Sequence, residues 1–172
     1  MLDFDKEKTL DIVQTVKYAT TAHAGQVDKL GVPYIEHPKE VAKILISSPL
    51  YRTLSPIDKQ NAVKVALLHD VVEDTEVTLE DLAEAGYSEK VIRSVGLLTY
   101  DKRITREEYY KDILDDPIAR LVKVADLIHN NLPARTNFLD DTTRERLVIK
   151  YAKAKEILLL PEEVEFFENS TK

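Results

Sequence analysis

One stretch of the chain concentrates residue types that could do chemistry. Residues 66–75 read Ala-Leu-Leu-His-Asp-Val-Val-Glu-Asp-Thr, an apolar lead followed by the pairs His69-Asp70 and Glu73-Asp74. Residues four apart share a helix face, so each residue of the first pair would lie beside its counterpart in the second. Carboxylates at a helix C-terminus need a compensating positive charge. A bound divalent metal would supply it, and a solvated acidic turn is the alternative.

Further candidates for the same site lie elsewhere in the chain. His23 is expected at the end of the first helix, and His37, which precedes a proline, at the start of the second. Asp126 and Asn130 are four apart in the apolar segment Lys-Val-Ala-Asp-Leu-Ile-His-Asn, residues 123–130, and share a helix face. A buried carboxylate is costly unless it is paired or bound to metal. Two apolar helices therefore carry residues of the kinds that bind metal.

The ligand types limit the metal and its chemistry. The chain has no cysteine, so thiolate ligands and disulfides are excluded. Imidazole with carboxylate suits Mn²⁺, Fe²⁺ or Mg²⁺, and Zn²⁺ less specifically. Four protein ligands leave about two positions on a six-coordinate ion, and a water held there becomes a nucleophile near neutral pH. Glu73 and Asp74 could orient or deprotonate that water. The expected reaction is metal-assisted hydrolysis of a phosphate ester or anhydride.

These residues must be positioned by helices. The chain has 4 glycines in 172 residues, and its apolar residues recur at helical spacing without a long alternating segment. We expect one all-α domain over residues 1–172, a bundle of about seven to nine helices. Its core is expected at about 8–160, followed by an acidic tail at 161–172.

Helix boundaries follow from capping residues. The first helix is expected from about Lys8 to Ala24, and the second from His37 to about Ser48. Capping residues, with a proline or a carboxylate at the expected offset, mark most later helix starts. They lie at Ser55-Pro56, Thr78 with Asp81, Ser88, Thr105 with Glu108, Asp116-Pro117, and Thr142 or Thr143.

Charge and composition narrow the class of partner. The formal net charge is −7, which argues against a nucleic-acid polymer, although a small anionic nucleotide could bind where metal and basic residues supply positive charge. The sequence contains no run of 18 apolar residues, so no membrane span is expected. The first residues are charged and do not resemble a signal peptide. We therefore expect a cytoplasmic protein, and the oligomeric state is left open, a homo-oligomer included.

Four blocks of sequence resemble the hydrolase half of Rel/SpoT proteins, within the HD-domain phosphohydrolases. The blocks are residues 22–26, 31–38, 69–75 and 123–130. The match spans about residues 8–160, and the chain length resembles that of the small alarmone hydrolases. The resemblance implies a single helical HD domain, Mn²⁺ as the usual metal, and removal of the 3′-pyrophosphate from guanosine tetra- or pentaphosphate (ppGpp and its relatives).

The resemblance also assigns roles to individual residues. It implies a metal-ligand set matching the H…HD…D signature: His23, His69, Asp70 and Asp126. It implies two catalytic carboxylates and one nucleoside contact: Glu73, Asp74 and Asn130. Two other histidines and a tyrosine are expected to be structural: His37 buried and hydrogen-bonded beside the site, His129 behind it or at the surface, and Tyr34 packed on the second helix.

Basic residues are the candidates for binding substrate phosphates. The candidates are Lys29, Lys102, Arg103, Arg106, Arg135, Arg146 and Lys150, and we predict contacts from all of them except Arg106 and Arg146. The Lys102-Arg103 pair is the best local basic cluster and falls in an interhelical loop, and Lys29 matches a lysine of the family. One departure is Asp28, where the family often carries an arginine that helps to hold the nucleotide.

The departure at Asp28 keeps other functions open. An acid at this position would not attract phosphate, which favours an HD phosphohydrolase that acts on another nucleotide or phosphoester. A catalytically silent regulatory HD module is a third alternative. The complete ligand set and the Glu73-Asp74 pair argue against it.

Replacing Asp70 by alanine should abolish both metal binding and activity. The change removes one ligand and one compensating negative charge together. Titration calorimetry with Mn²⁺ and a hydrolysis assay would measure the two losses. Full activity in Asp70→Ala would show that the reacting site lies elsewhere.

Overall fold

The computed structural model describes residues 10–171, and its regular secondary structure is helical. The helices are α1 (Ile12–Ala22), α2 (Glu36–Ser47), α3 (Pro49–Thr53), α4 (Pro56–Leu68), α5 (Val71–Asp74), α6 (Leu79–Glu84), α7 (Glu89–Leu98), α8 (Arg106–Leu114), α9 (Pro117–Asn131), α10 (Pro133–Thr136), α11 (Asp141–Leu158) and α12 (Pro161–Ser170). Within residues 10–171, β structure is limited to one isolated bridge between Val27 and Pro33. The predicted all-α class is confirmed.

The number of helices exceeds the prediction of seven to nine. The described part of the chain has twelve, of which α3, α5 and α10 are segments of five, four and four residues. Segments this short cover little more than one turn, so apolar periodicity does not reveal them. The nine longer helices agree with the upper end of the prediction. The tail predicted to be acidic contains α12 (Pro161–Ser170).

Most predicted helix starts are confirmed by side-chain caps. Thr78 and Thr105 form capping boxes with Asp81 and Glu108. Ser55, Ser88 and Asp116 also cap their helices.

Two predicted helix starts differ from those in the structure, and a third falls outside the described residues. Asp140 caps α11 instead of Thr142 or Thr143, because its carboxylate accepts from the backbone N–H of Thr143. Asp11 caps α1 through Gln14, so this helix begins at Ile12, and the predicted start at Lys8 lies outside the described residues. The start of α2 is Glu36, one residue before His37.

Three helices form the centre of the fold. The most extensive helix contacts are those of α2 with α9, α2 with α4, and α4 with α9. Their facing sides are apolar and fully buried, with side chains such as Val41, Leu45, Leu68 and Ile128. The α1 helix packs on α4, and α8 and α11 pack on α9. Residues near the ends of α2 and α4 and within α9 are therefore brought close together. No helix in the described range is both long and apolar enough to cross a membrane.

A buried ion pair attaches the C-terminal helix to this centre. Arg120 of α9 donates from Nη1 to Glu163 Oε2 of α12 and to the carbonyl of Leu158. The two charged side chains are 9% and 1% exposed. The same Glu163 oxygen accepts from the backbone N–H of Leu160, so the carboxylate also caps α12. Loss of one partner would leave the other charge buried without compensation.

Glu163→Gln should lower the free energy of unfolding by about 3–5 kcal/mol, because it leaves Arg120 buried without a counter-charge. Urea unfolding of the two proteins would measure the difference. The matched control is Glu40→Gln, which breaks an exposed pair with Lys43 and should cost less than about 1 kcal/mol. A Glu163→Gln effect as small as that of the control would show that the buried pair is not needed.

Candidate functional site

Four ionisable side chains converge where α2, α4 and α9 meet. His37 Nε2 lies 3.4 Å from Asp70 Oδ2 and 3.3 Å from Asp126 Oδ1. His69 Nε2 lies 3.2 Å and 3.9 Å from the same two oxygens. Ligand atoms of His37, His69 and Asp126 all lie within 4.8 Å of one another, a grouping that could hold a metal ion.

The imidazole of His69 is oriented for binding through Nε2. His69 Nδ1 is 2.8 Å from the carbonyl oxygen of Ala66, so that nitrogen carries the proton and donates it. His69 Nε2 is buried without a hydrogen-bond partner among the described residues. A buried lone pair facing two carboxylates is the arrangement of a metal ligand whose other nitrogen is anchored. The residues present therefore fit a divalent cation.

Local charges keep the carboxylates anionic. Burial alone would raise the pKa of Asp126, but Lys123 and His37 outweigh it and hold the pKa well below its usual range. Lys123 Nζ donates to Asp126 Oδ2 at 2.9 Å. His69 and His37 lower the pKa of Asp70 in the same way. Burial opposes the rise at His37, yet its hydrogen bonds to the two carboxylates raise its pKa to about 9. The cluster thus attracts positive charge.

His37 occupies the place in the cluster that the sequence analysis assigned to His23. His23 lies at the C-terminal end of α1. Its Nδ1 lies 2.8 Å from Gln26 Oε1, and its ring lies 4.9 Å from that of Tyr34. Its Nε2 is buried and has no hydrogen-bond partner, but among the described residues the group of ligand atoms that could hold a metal contains His37 and not His23. The motif match selected the first histidine along the chain, whereas helix packing brings the second one to Asp126. Burial of His37, which the sequence predicted, is confirmed.

The helix that carries the opening motif is interrupted. The α4 helix ends at Leu68, and α5 begins after a turn at His69 and Asp70, so the predicted continuous helix is wrong. The Asp74 N–H still donates to the Asp70 carbonyl at 2.9 Å, which preserves the spacing of one turn. Tyr34 Oη lies 2.7 Å from Asp70 Oδ2 and 3.1 Å from Asp74 Oδ2. The predicted pairing of these two acids on one face is confirmed.

A polar cavity of about 200 Å³ opens in front of the cluster. Acids and cations both line it: Asp70, Glu73, Asp74 and Asp126 with Arg106, Lys123, Arg135 and Lys150. Glu73 is held in this wall because its Oε2 accepts the Tyr100 N–H at 3.0 Å. Tyr34, for which the sequence predicted packing alone, places its hydroxyl among the acids. No local sequence pattern indicates this contact, because the two acids lie 36 and 40 residues from Tyr34 in the chain.

A second cavity of about 460 Å³ adjoins the first and is partly apolar. Four residues line both cavities: Tyr34, Asn130, Arg135 and Lys150. Asn130 Nδ2 also donates to Asp126 Oδ1, so its amide borders the cluster. Lys29 lines the second cavity only. Three predicted substrate contacts, Asn130, Arg135 and Lys150, are therefore adjacent to the candidate metal ligands.

The Lys102-Arg103 pair is not brought to either cavity. Arg103 folds back on Asp101, which accepts from its Nε and Nη2, and its side chain is 89% exposed. Arg106, at the start of α8, lines the polar cavity instead, with its guanidinium 4.3 Å above the Tyr100 ring. The local density of charge in the sequence favoured the loop, whereas the direction of α8 decides which arginine faces the site.

Comparison with known proteins identifies the family. The profile of the HD domain matches residues 15–112, more than half of the 172 residues. This chain belongs to the HD-domain family. A Danio rerio protein named guanosine-3′,5′-bis(diphosphate) 3′-pyrophosphohydrolase MESH1 is 35% identical over 129 residues, 71% of this chain and 68% of that protein. The predicted family is confirmed.

Two other matches extend this comparison. The Escherichia coli K12 bifunctional (p)ppGpp synthase/hydrolase SpoT is 35% identical over 128 residues, which are 68% of this chain and 17% of SpoT. A solved structure of a metazoan ortholog of SpoT matches with a TM-score of 0.68 and 23% identity, covering 92% of this chain and 88% of that one. The structural likeness shows a common fold.

His37→Gln should abolish binding of Mn²⁺, whereas His23→Gln should leave the binding affinity within about tenfold of wild type. Only His37 has its Nε2 within 3.4 Å of both carboxylates. Titration calorimetry on the two variants would measure the affinities. The reverse order of effects would restore His23 to the ligand set.

Proposed function

We propose that this protein is a metal-dependent phosphohydrolase that removes the 3′-pyrophosphate of ppGpp-type nucleotides. One observation carries the proposal: two imidazole Nε2 atoms and two carboxylates converge at one wall of a cavity that also holds further acids and several cations. Membership of the HD-domain family and the printed activity of the MESH1 relative support it. Phosphoryl transfer needs this combination of positioning and charge stabilisation.

The proposed ligands are His37, His69, Asp70 and Asp126. Nitrogen and oxygen donors in this ratio favour Mn²⁺, with Mg²⁺, Fe²⁺ and Zn²⁺ as the alternatives to be tested. A divalent cation held there would polarise a phosphoryl oxygen and lower the pKa of water. Lys123 and Asn130 hold the Asp126 carboxylate from the side, through Oδ2 and Oδ1 respectively.

Glu73 and Asp74 are the proposed acid–base pair. Hydrolysis needs one group to accept a proton from the attacking water and one to return a proton to the departing ribose 3′-oxygen. Both carboxylates line the polar cavity, and each is held by a contact from another element. The Tyr100 N–H positions Glu73, and the Tyr34 hydroxyl lies between Asp74 and Asp70. The products would be GDP and pyrophosphate.

The two cavities correspond to the two parts of the proposed substrate. Arg106, Arg135 and Lys150 give the polar cavity the positive charge that a pyrophosphate requires. The adjoining cavity offers apolar walls to a nucleoside, from Leu30, Phe138, Leu147 and Tyr151. Asn130 lies at the junction and can donate or accept hydrogen bonds. The residues that line the two cavities are spread along the chain from Val27 to Tyr151, so we propose one hydrolase domain. For such a nucleotide substrate we also propose a cytoplasmic location.

Asp28 remains the observation that favours a second candidate, hydrolysis of another nucleotide or phosphoester. Its Oδ1 accepts from the N–H groups of Leu30 and Val32, and its Oδ2 from Arg135 Nη1 at 3.1 Å. The acid is thus neutralised within the cavity wall and holds an arginine there. This pairing weakens the objection that Asp28 repels phosphate, and it leaves the choice of base to the walls of the second cavity.

Incubation of the Mn²⁺-loaded chain with ppGpp should yield GDP and pyrophosphate in equal amounts. Glu73→Gln should retain Mn²⁺ affinity but lose about 10²–10⁴-fold in kcat, because it removes a proton acceptor and no metal ligand. A panel of other nucleotides, assayed for phosphate and pyrophosphate with Mn²⁺, Mg²⁺ and Zn²⁺, separates the two candidates. Absence of ppGpp turnover with every metal would overturn the first candidate.

The affinity for substrate should weaken as the pH rises through about 8. Burial, with Arg106 and Lys123 nearby, lowers the pKa of Lys150 to about 8, so this cation is lost at higher pH. The measurement is KM for ppGpp between pH 7 and 9.5. Lys150→Arg stays charged and should flatten the rise of KM. An equal rise in wild type and Lys150→Arg would show that Lys150 does not contact the phosphates.

A further inference from the structure

The loop between α1 and α2 closes around the carboxylate of Asp28. Asp28 Oδ1 accepts from the backbone N–H groups of Leu30 and Val32, at 2.8 Å and 3.0 Å. The Asp28 N–H donates to the Val32 carbonyl, and the Gly31 N–H donates to the Asp28 carbonyl. Because these hydrogen bonds hold both the backbone and one carboxylate oxygen, the second oxygen, Oδ2, has a fixed direction.

The second oxygen of this carboxylate contacts an arginine from a distant part of the chain. Arg135 lies in the one-turn helix α10 (Pro133–Thr136), and its Nη1 donates to Asp28 Oδ2 at 3.1 Å. Arg135 lines both the polar cavity and the adjoining, partly apolar cavity. A guanidinium has five N–H donors in a planar fork, and the hydrogen bond to Asp28 uses one of them. Donors therefore remain for an anion at the boundary of the two cavities.

The charge of Asp28 is compensated where it stands. Its side chain is 8% exposed, and that of Arg135 is 25% exposed. Burial alone would raise the pKa of Asp28, but the N–H groups of Val32 and Leu30, together with Arg135, hold the pKa below its usual value. The carboxylate is therefore ionised at neutral pH. Since donors engage both of its oxygens, it presents little uncompensated negative charge to an anionic ligand.

We propose that Asp28 is a positioning residue, which fixes the guanidinium of Arg135 so that Arg135 binds a phosphate group of the nucleotide. This inference rests on the proposed function. A free arginine side chain loses rotamer entropy when it binds an anion. The pairing with Asp28 orders the guanidinium before the ligand arrives, which reduces that loss. The acid in the cavity wall thus strengthens the binding of an anion.

A double-mutant cycle tests whether Asp28 acts through Arg135. Asp28→Asn keeps an oxygen for the N–H groups of Leu30 and Val32 and removes the charge that faces Arg135. The KM for ppGpp should rise about 10–100-fold in Arg135→Ala and about 3–10-fold in Asp28→Asn, and the loss should lie in KM rather than in kcat. In the Arg135→Ala background, Asp28→Asn should have no further effect.

The cycle has a matched control and two results that contradict the proposal. Asp141→Asn breaks an exposed pair with Arg144, outside both cavities, and should leave KM unchanged. Additive effects of Asp28→Asn and Arg135→Ala would overturn the proposal. A lower KM in Asp28→Asn would also overturn it, because that is the result expected if the acid only repels phosphate. Circular dichroism melting curves of the variants report whether each folds.

An NMR measurement on the free protein tests the positioning directly. A guanidinium held by a carboxylate rotates slowly about its Cζ–Nε bond, so its two Nη nuclei give separate signals. In ¹⁵N-arginine-labelled wild-type protein, Arg135 should show this separation, and its signals are assigned by their loss in Arg135→Ala. The signals should merge in Asp28→Asn. Identical Arg135 signals in wild type and Asp28→Asn would overturn the proposal.

Two probes identify the phosphate group without relying on turnover. The Kd values of GDP and of inorganic pyrophosphate are measured by titration calorimetry at a fixed Mg²⁺ concentration. Weaker binding of pyrophosphate in Arg135→Ala would assign Arg135 to the reacting group, and weaker binding of GDP would assign it to the 5′-diphosphate. Unchanged affinity for both probes, or no binding of either to wild type, would overturn the phosphate contact. These affinity changes in a chain that leaves ppGpp intact would support the inference and overturn the proposed function.

Discussion

The site depends on two carboxylates held inside the protein. Asp70 and Asp126 are far less costly to bury when positive or hydrogen-bonding groups surround them. His37 and His69 provide these groups on one side, and Lys123 and Asn130 on the other. Because these partners come from α2, α4 and α9, the three helices must keep one arrangement for the charges to remain compensated. The apolar contacts among the same helices supply that arrangement.

Hydrogen bonds to neighbouring residues fix the orientation of the side chains in the cluster. The Ala66 carbonyl anchors one imidazole, and His129 contacts the other, so that both Nε2 atoms face the carboxylates. Asp70 is oriented in turn by the Tyr34 hydroxyl. A site organised in this way holds its donor atoms before any ligand arrives, which reduces the reorganisation that binding would require. The interruption of the helix at His69 and Asp70 contributes to this, since it lets two adjacent residues face the same point.

Both acidic and basic side chains line the polar cavity. Asp70 and Asp126 are candidate metal ligands, and Arg106 and Lys150 line the same cavity, whereas the adjoining cavity has apolar walls. A substrate with a pyrophosphate next to a nucleoside fits these two cavities, because its charged part would meet the cations and its base the apolar side chains. The Asp28–Arg135 pair affects both the charge of the cavity wall and the position of a cation in it. It removes a negative charge from the wall and keeps a guanidinium at the boundary of the two cavities.

The sequence by itself determined the helical class, most helix starts and the residue types of the site. Caps such as Thr78 and Thr105 act within three residues, so local sequence is sufficient for them. The pairing of Asp70 with Asp74 likewise follows from helical spacing. Only the tertiary structure decided that His37 contacts Asp126, that Tyr34 reaches the acids, and that Arg106 lines the polar cavity while Arg103 does not. These choices depend on how helices distant in the chain pack together, and no local pattern records the direction in which a side chain then points.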